Sequence, residues 1–298
     1  MKRLRQFLFF VALVATTFPL AILPYTLALR IGDVIGLLTY SFWSSRRKIA
    51  IKNLQGAVDR GAIVLDVDPR LVIKKHFMNL GRSFIEVLKT YYGFEQSVFR
   101  RVEMRGLDNY QAAEKKGKGV FCITGHCGNW ELLAVYISMN VARSTVVARK
   151  QDNPFINRLI QRTREKYGNK VIYKDGALKG ILSSLKKKEL VGILIDQSVI
   201  RTEGIVVPFL GKNAYAMKTP AILARKTGTP VVPAFIRRTG DGRHIIEIGE
   251  EIPLTVNADS EAAIVQDTIN FLRPIEEFIR QYPADWLWIH RRWKRIKD

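Results

Sequence analysis

The chain has 298 residues, of which 47% are hydrophobic and 25% charged, so a disordered or low-complexity protein is excluded. It carries 48 lysine and arginine residues against 27 aspartate and glutamate residues, which gives a formal net charge of +21. A basic excess of this size predicts an anionic partner, namely nucleic acid, anionic lipid or an acidic protein. The sequence contains two cysteines, too few for a disulfide framework, which favours a reducing compartment.

The first segment of the chain is uncharged from Phe7 to Leu29. About 20 apolar residues are enough to cross a bilayer, so we predict a membrane anchor over residues 1–29 and a folded domain over 30–298. Pro19 and Pro24 favour a kink, so a helix that bends and lies partly in the interface is a second interpretation. A buried core helix is a third. More positive charge follows this segment than precedes it, which slightly favours a cytoplasmic domain.

The remainder of the chain changes its pattern near residue 105. Before that point the spacing of Phe77, Leu80, Phe84 and Leu88 predicts helices. After it, strands are predicted at 120–124, 145–148, 170–173, 190–195, 231–236 and 244–248, and helices at 153–167, 178–188, 218–227 and 260–281. This alternation predicts an α/β fold with a central mixed sheet flanked by helices.

Several familiar binding motifs are absent from the sequence. It has no glycine-rich dinucleotide or P-loop signature and no signature of a nucleic-acid-binding module, and its hydrophobic segment favours lipid over nucleic acid. Cys122, His126 and Cys127 lack the second ligand pair of a zinc site, so we expect no metal. Cys127 beside His126 also suggests a thiol nucleophile. Adjacent side chains generally point in different directions, which favours a small buried residue instead.

The most informative motif is Gly-His-Cys-Gly-Asn-Trp-Glu at residues 125–131, directly after the predicted strand 120–124. Ligands of open α/β sheets bind beyond such strand ends. Asn129 is predicted to cap the next helix, whose first turn holds Glu131. His126 on the loop, with a carboxylate nearby to fix its tautomer, is a workable general base. The alternative is a histidine with a purely structural role.

Further sequence blocks accompany this motif. They lie at residues 46–54, 76–83, 148–154, 196–197, 208–211, 219–220, 228–233 and 286–294. In this order, and over nearly the whole chain, they resemble the lipid A biosynthesis (lauroyl/myristoyl-type) acyltransferases, within the group of HX4D/E glycerolipid acyltransferases. The resemblance implies a glycerolipid-acyltransferase-like fold in which residues 30–298 form the catalytic domain.

The resemblance also implies a reaction and its residues. A fatty acyl chain moves from an acyl carrier protein thioester to a hydroxyl of a lipid A precursor, with His126 as general base, no acyl-enzyme and no further cofactor. Glu131 is favoured to orient His126. Asp196, at the end of a predicted strand, is the rival for that role. Arg149 and Arg164 are candidates for binding lipid phosphate or an oxyanion, with Asn129 as a further substrate-binding candidate; the alternative for each arginine is a solvated helix face.

The partners implied are an acidic acyl carrier protein, the lipid A precursor and an anionic bilayer, and the expected location is the bacterial inner membrane with the catalytic domain facing the cytoplasm. Trp286, Trp288 and Trp293 among basic residues fit a segment in the membrane interface, or else core packing. Two other functions stay open. One is an acyltransferase of the same fold with another acceptor, such as a phosphatidylinositol mannoside or an aminolipid. The other is a non-catalytic lipid-binding protein of the inner leaflet, which would not need His126 and Glu131.

Overall fold

The computed structural model describes residues 1–173, 176–256 and 260–296. Its first part is helical, as predicted, with elements α1 (Lys2–Ile22), α2 (Tyr25–Phe42), α3 (Ser44–Asp59), α4 (Pro69–Tyr91) and α5 (Gln96–Phe99). Strands and helices then alternate through β1 (Val102–Arg105), α6 (Leu107–Glu114), β2 (Val120–Thr124), α7 (Trp130–Asn140), β3 (Ser144–Ala148), α8 (Pro154–Lys166), β4 (Lys170–Tyr173), α9 (Ala177–Lys186), β5 (Leu190–Leu194), β6 (Gly204–Phe209), β7 (Lys212–Met217), α10 (Thr219–Thr227), β8 (Val231–Arg238), β9 (His244–Ile248) and α11 (Ser260–Gln281).

In the described parts of the chain, seven strands form one sheet in the order β1-β9-β8-β2-β5-β3-β4. Neighbouring strands are parallel except β8 and β9, which are antiparallel, so the sheet is mixed. Both faces of β2 are buried: Phe121 and Ile123 enter one hydrophobic cluster, while Val120 and Cys122 enter another. A strand buried on both faces reads as a continuous apolar run. The predicted α/β fold with helices around a central mixed sheet is therefore confirmed.

Two strand regions were not predicted from the sequence. β1 is a four-residue edge strand whose side chains are half-buried and exposed in turn. β6 and β7 form an antiparallel hairpin, closed by Leu210 and Gly211, which both have positive φ angles of 49° and 73°. Positive φ at two successive central residues is typical of a tight hairpin turn. β1 and β7 lack an apolar β-branched run, and in β6 the run of residues 205–207 is followed at once by Pro208, which weakens the strand signal.

The uncharged amino-terminal segment forms two helices rather than one. α1 ends at Ile22, and α2 begins at Tyr25 directly after Pro24, so the predicted boundary at Leu29 falls inside α2. α2 packs closely on α4, since a Cβ added to Gly36 would lie 2.3 Å from the carbonyl oxygen of Phe77. Among the described helices, α1 is long and apolar enough to cross a membrane. It is the candidate membrane anchor.

Candidate active site

The loop after β2 carries the predicted histidine and enters α7 through the expected cap. The Asn129 side-chain oxygen accepts a hydrogen bond from the backbone N–H of Leu132 at 3.2 Å. Gly128 has a φ of 55°, and a Cβ there would lie 2.0 Å from the Ile236 carbonyl oxygen. Only glycine tolerates this conformation and this close approach. The loop is therefore fixed against β8, and His126 projects from the carboxyl edge of the sheet.

His126 is held by Asp196, which follows the neighbouring strand β5. The His126 Nδ1 atom lies 2.7 Å from Asp196 Oδ1, and the backbone N–H of His126 donates to Asp196 Oδ2 at 2.9 Å. Trp286 Nε1 donates to the same Oδ2 atom at 2.8 Å. Burial opposes the charge of Asp196, but the charge of His126 and the hydrogen bonds from His126 and Trp286 outweigh it and lower the pKa of the carboxyl to about 2. Asp196 is therefore an ionised, buried anchor for the ring.

This pairing sets the chemistry of the imidazole. An ionised carboxylate can only accept, so Nδ1 carries the proton and Nε2 is left as the basic nitrogen. Gln197 Nε2 lies 3.0 Å from His126 Nε2 and donates to it. The His126 side chain is 20% exposed, whereas that of Asp196 is 1% exposed. The carboxylate is thus buried, while the His126 ring is partly exposed next to the amide of Gln197.

The carboxy-terminal segment closes the loop from behind. The Leu287 N–H donates to the His126 carbonyl oxygen at 3.1 Å, and the Gly128 N–H donates to the Asp285 carbonyl oxygen at 2.6 Å. Trp286 and Trp288 are 1% and 0% exposed, so the interpretation of this segment as seated in the membrane interface is wrong for these two residues. Sequence reasoning also missed the role of Trp286, whose partner Asp196 is 90 residues distant.

Glu131 does not hold the His126 ring, contrary to the interpretation favoured from the sequence. Its carboxylate pairs with Arg164, whose Nη2 lies 2.7 Å from Oε1, and Tyr91 donates to Oε2 at 3.4 Å. The reason is geometric. Glu131 is the second residue of α7 and faces α4 and α8, whereas the pairing of β2 with β5 brings Asp196 under the loop. The catalytic roles of both carboxylates stay predictions.

The predicted substrate-binding residues differ in their surroundings. Asn129 is 3% exposed, and its Nδ2 donates to Glu86 Oε2 at 2.9 Å. The Arg164 side chain is 17% exposed and paired with Glu131, whereas that of Arg149 is 82% exposed at the edge of the site. Contacts of these three residues with a substrate stay predictions, and Arg149 is the most accessible of them.

A second buried carboxylate, Glu86 on α4, was missed from the sequence. It is 0% exposed and accepts hydrogen bonds from Arg238, His244 and Tyr25 as well as from Asn129. Burial opposes its charge, but Arg238 and His244 hold the pKa of this carboxyl well below its usual range. A glutamate between the buried residues Ile85 and Leu88 was the available signal, because charged side chains are almost never buried unless paired.

An apolar cleft opens beside His126. Its volume is about 550 Å³, and His126 and Gln197 are among the side chains that line it. The apolar part of the wall includes Ile181, Ile193, Ile195, Val199 and Met217. Cys127 is not a candidate nucleophile here, because it is 1% exposed and because burial and the nearby Asp196 and Asp285 carboxylates raise the pKa of its thiol. It is the small buried residue that the sequence predicts.

A histidine–aspartate pair at the carboxyl edge of a mixed α/β sheet, beside an apolar cleft, has the geometry that an enzyme acting on an apolar substrate would need. Comparison with known proteins agrees. A family model described as bacterial lipid A biosynthesis acyltransferase matches residues 1–295. The chain belongs to this family and is an acyltransferase, and the resemblance seen in the sequence is confirmed.

Individual relatives are distant but cover most of the chain. A lipid A biosynthesis lauroyltransferase of Escherichia coli (strain K12) is 27% identical over 276 residues, which is 91% of this chain and 87% of the relative. A lipid A biosynthesis palmitoleoyltransferase of the same strain is 25% identical over 274 residues, 91% of this chain and 86% of the relative. A phosphatidylinositol mannoside acyltransferase of Mycobacterium tuberculosis (strain ATCC 25618 / H37Rv) is 26% identical over 221 residues, 72% of this chain and 67% of the relative.

Proposed function

We propose that this protein transfers a fatty acyl chain from an acyl carrier protein thioester to a hydroxyl of a lipid A precursor, on the cytoplasmic face of a bacterial inner membrane. Membership of the acyltransferase family supports the reaction class, and the names of the two Escherichia coli relatives support the acceptor. The apolar helix α1 supports the location. No cofactor is required, because the thioester itself supplies the activated acyl group.

His126 is the general base of the proposed reaction. Its Nε2 takes the proton of the acceptor hydroxyl, which displaces the amide of Gln197 from that nitrogen. The hydroxyl oxygen attacks the thioester carbonyl directly, forming a C–O bond. As the tetrahedral intermediate collapses, the C–S bond breaks and the imidazolium returns its proton to the departing thiolate. The Asp196 carboxylate stabilises the imidazolium in between, at 2.7 Å from Nδ1.

The two substrates have separate requirements. The donor chain is apolar and suits the apolar wall of the 550 Å³ cleft. The carrier protein is acidic and suits a chain of net charge +21, with Arg149 and Arg295 at the cleft itself. Arg149 is also available to an acceptor phosphate, because a guanidinium donates two parallel hydrogen bonds to phosphate oxygens.

The observation that carries the proposal is the His126–Asp196 pair at the mouth of an apolar cleft. The test is an assay of the purified protein with acyl carrier protein donors of different chain lengths and a lipid A precursor, with the product measured by mass spectrometry. We expect a mass increase of one acyl chain. The same acyl group on coenzyme A, which lacks the acidic carrier, is the matched control. Equal rates with both donors would contradict the proposal that acyl carrier protein is the donor. Absence of acylated lipid A precursor would contradict the proposed acceptor.

A second acceptor has its own support. The mycobacterial relative is a phosphatidylinositol mannoside acyltransferase and matches 72% of this chain. A phosphorylated glycolipid of that kind presents the same chemistry, a sugar hydroxyl near a phosphate. The same assay, with phosphatidylinositol mannoside in place of the lipid A precursor, compares the two acceptors directly. Faster transfer to the mannoside would replace the acceptor in our proposal while leaving the roles of His126 and Asp196 unchanged.

A further inference from the structure

Beyond its basic first turn α1 is mainly apolar, and its burial follows a helical period. The outer face of α1 is exposed and is defined by Leu4, Leu8, Val11, Ala15, Phe18 and Ile22. These positions recur at intervals of three and four residues, so they form one stripe. The opposite side is buried or half-buried and contains Phe10, Leu13, Val14, Thr17 and Ala21. The helix therefore lies along the protein with one face and leaves the other uncovered.

Contacts with the folded domain occur at both ends of α1. Near its start, Gln6 Nε2 donates to the Asp152 carbonyl oxygen at 3.2 Å, and Asn153 Nδ2 donates to the Gln6 carbonyl oxygen at 2.9 Å. The ring centroids of Phe7 and Phe155 lie 5.3 Å apart. These contacts join the amino end of α1 to the segment that follows β3 and begins α8.

The carboxyl end of α1 is held by hydrogen bonds from a buried lysine. Lys89 Nζ donates to the carbonyl oxygens of Ala21 at 2.9 Å and Leu23 at 2.6 Å. The carbonyls at a helix end lack intrahelical partners, and a cation there also suits the helix dipole. Thr17 shares a further hydrogen bond of 2.7 Å with the Tyr92 hydroxyl. Both ends of the helix are thus tied to one folded body.

We infer that α1 lies flat in one leaflet of the membrane and does not cross it. A helix of 21 residues is about 30 Å long, close to the thickness of the hydrocarbon layer. If α1 crossed the bilayer with its contacts intact, Asn153 and Lys89 would lie at opposite membrane faces. The exposed charges of α8, such as Arg158 and Arg162, would then be carried into hydrocarbon, which is strongly unfavourable. A flat helix keeps every contact and still buries its outer face in lipid.

The surrounding side chains fit an anionic lipid surface as the occupant. Lys2, Arg3 and Arg5 are exposed at the start of α1 and can reach the headgroups of the leaflet that covers the helix. α2 adds a second exposed stripe, in which Leu27, Val34, Leu38 and Phe42 recur at helical spacing beside the exposed Arg30, and Phe42 is 83% exposed. Trp43 and Arg46 follow it, a combination typical of membrane interfaces.

A flat α1 also determines where the lipid acceptor of the proposed function would approach the cleft, and this step rests on that proposed function. The segment that is hydrogen-bonded to Gln6, at Asp152 and Asn153, closely follows Arg149, which lines the cleft beside His126. A flat α1 therefore brings the mouth of the cleft to the lipid surface. A lipid acceptor can then present its headgroup hydroxyl to His126 while its own chains stay in the leaflet.

Cysteine labelling in spheroplasts that contain the full chain tests the topology. Lys2→Cys marks the start of α1, and Lys187→Cys marks the exposed end of α9 on the catalytic domain. The native chain serves as the blank, because Cys122 and Cys127 are 5% and 1% exposed. We expect an impermeant maleimide to leave both positions unlabelled in intact spheroplasts and to label both after permeabilisation. Labelling of Lys2→Cys alone in intact spheroplasts would mean that α1 crosses the membrane and would overturn the inference.

Other outcomes separate this inference from the proposed function. Labelling of both positions in intact spheroplasts keeps α1 flat but contradicts the cytoplasmic location. Recovery of the chain in the soluble fraction would show that α1 does not bind a lipid surface and would overturn the inference. Absence of acyl transfer together with same-side labelling contradicts the function and leaves the topology standing.

A cross-link tests whether α1 stays docked in the membrane. The variant Gln6→Cys with Asn153→Cys is oxidised with copper phenanthroline. The control is Gln6→Cys with Lys187→Cys, because Lys187 lies before the amino-terminal end of β5, whereas Asn153 lies beyond the carboxyl-terminal end of the neighbouring parallel strand β3. We expect a cross-link in the first pair and none in the control. No cross-link in the first pair means that α1 leaves the domain, which contradicts the inference.

Discussion

Two buried carboxylates of this protein, Asp196 and Glu86, each bind a histidine ring, but the two rings differ in their access to solvent. The His126 side chain on Asp196 is 20% exposed and keeps Nε2 at a cleft, whereas the His244 side chain on Glu86 is 1% exposed and is also surrounded by Arg238 and Tyr25. Both acids are ionised for the same reason, because close cations and donors outweigh burial. Burial of an acid therefore does not identify the site; access to the second ring nitrogen does.

Removal of His126 is the most direct test of the difference between the two histidine–carboxylate pairs. We expect His126→Ala to lower kcat/KM by roughly 10²–10⁴-fold, the usual contribution of a general base, and to leave the melting temperature close to that of the wild type. His244→Ala is the matched control, in which we expect a lower melting temperature and a kcat/KM close to that of the wild type. Transfer within tenfold of wild type in His126→Ala would remove this residue from the mechanism.

Asp196→Asn should cost nearly as much as His126→Ala. An amide keeps the shape but no longer fixes Nδ1 as the protonated nitrogen, and a comparable change in a serine protease triad lowers kcat by about 10⁴-fold. Because the pKa of Asp196 is about 2, below the ordinary value of 3.8, its pairing contributes stability above about pH 4 that is lost as pH falls toward 2. Loss of activity between pH 5 and 7, measured by initial rates, should therefore not arise from this carboxyl.

Glu86→Gln should affect the fold rather than the chemistry. Removing one partner of a buried charged network leaves the others uncompensated, and the expected loss of unfolding free energy is about 3–5 kcal/mol. Because the folded pKa of Glu86 lies below its usual value, this contribution is present at neutral pH and is lost as the pH falls below that value. Denaturant unfolding followed by circular dichroism measures it. An unchanged midpoint would show that Glu86 is not a structural anchor.

The fold was largely predictable because its strands carry short apolar runs. β2, β4 and β9 agree with the predicted bounds residue for residue, although only β2 is buried at every position and β4 is a partly exposed edge strand. β1 and the hairpin of β6 and β7 were missed for the opposite reason. β1 has only four residues, is partly exposed and pairs with β9 far along the chain, while β6 and β7 are partly exposed strands that pair with each other through a tight turn.

The site was half predictable on similar grounds. His126 and the Asn129 cap follow from local sequence, because a strand, two glycines and a helix start lie within a few residues. The choice of partner for His126 depends on the order of strands in the sheet, which local sequence does not contain. Glu131 is near in sequence but faces Arg164, while Asp196 arrives through the β2–β5 pairing and Trp286 through the carboxy-terminal segment.

Trp286→Phe tests that remote contribution with a smaller expected effect. A hydrogen bond to a charged group is worth about 1.5–3 kcal/mol, so the loss in kcat/KM should be roughly tenfold to a hundredfold. Without this donor the Asp196 carboxyl loses one of the hydrogen bonds that lower its pKa, and the acid that positions His126 is less firmly fixed. Trp288→Phe is the packing control, since its Nε1 donates to the Pro283 carbonyl instead, and an equal loss of kcat/KM in both variants would contradict the role of Trp286.

The smallest effect is expected for Glu131→Gln, the substitution that the sequence alone would rank above Asp196→Asn. Its side chain is 25% exposed and pairs with Arg164 rather than with the His126 ring. Partly exposed ion pairs contribute about 0.2–1 kcal/mol, so we expect a fall in kcat of less than about fivefold. Because the same substitution frees Arg164, a fall in KM for the acceptor with little change in kcat would indicate that this arginine binds substrate once Glu131 releases it. A loss approaching that of Asp196→Asn, with the fold intact, would instead mean that Glu131 moves onto the ring during turnover and that the His126–Asp196 pair describes only the resting enzyme.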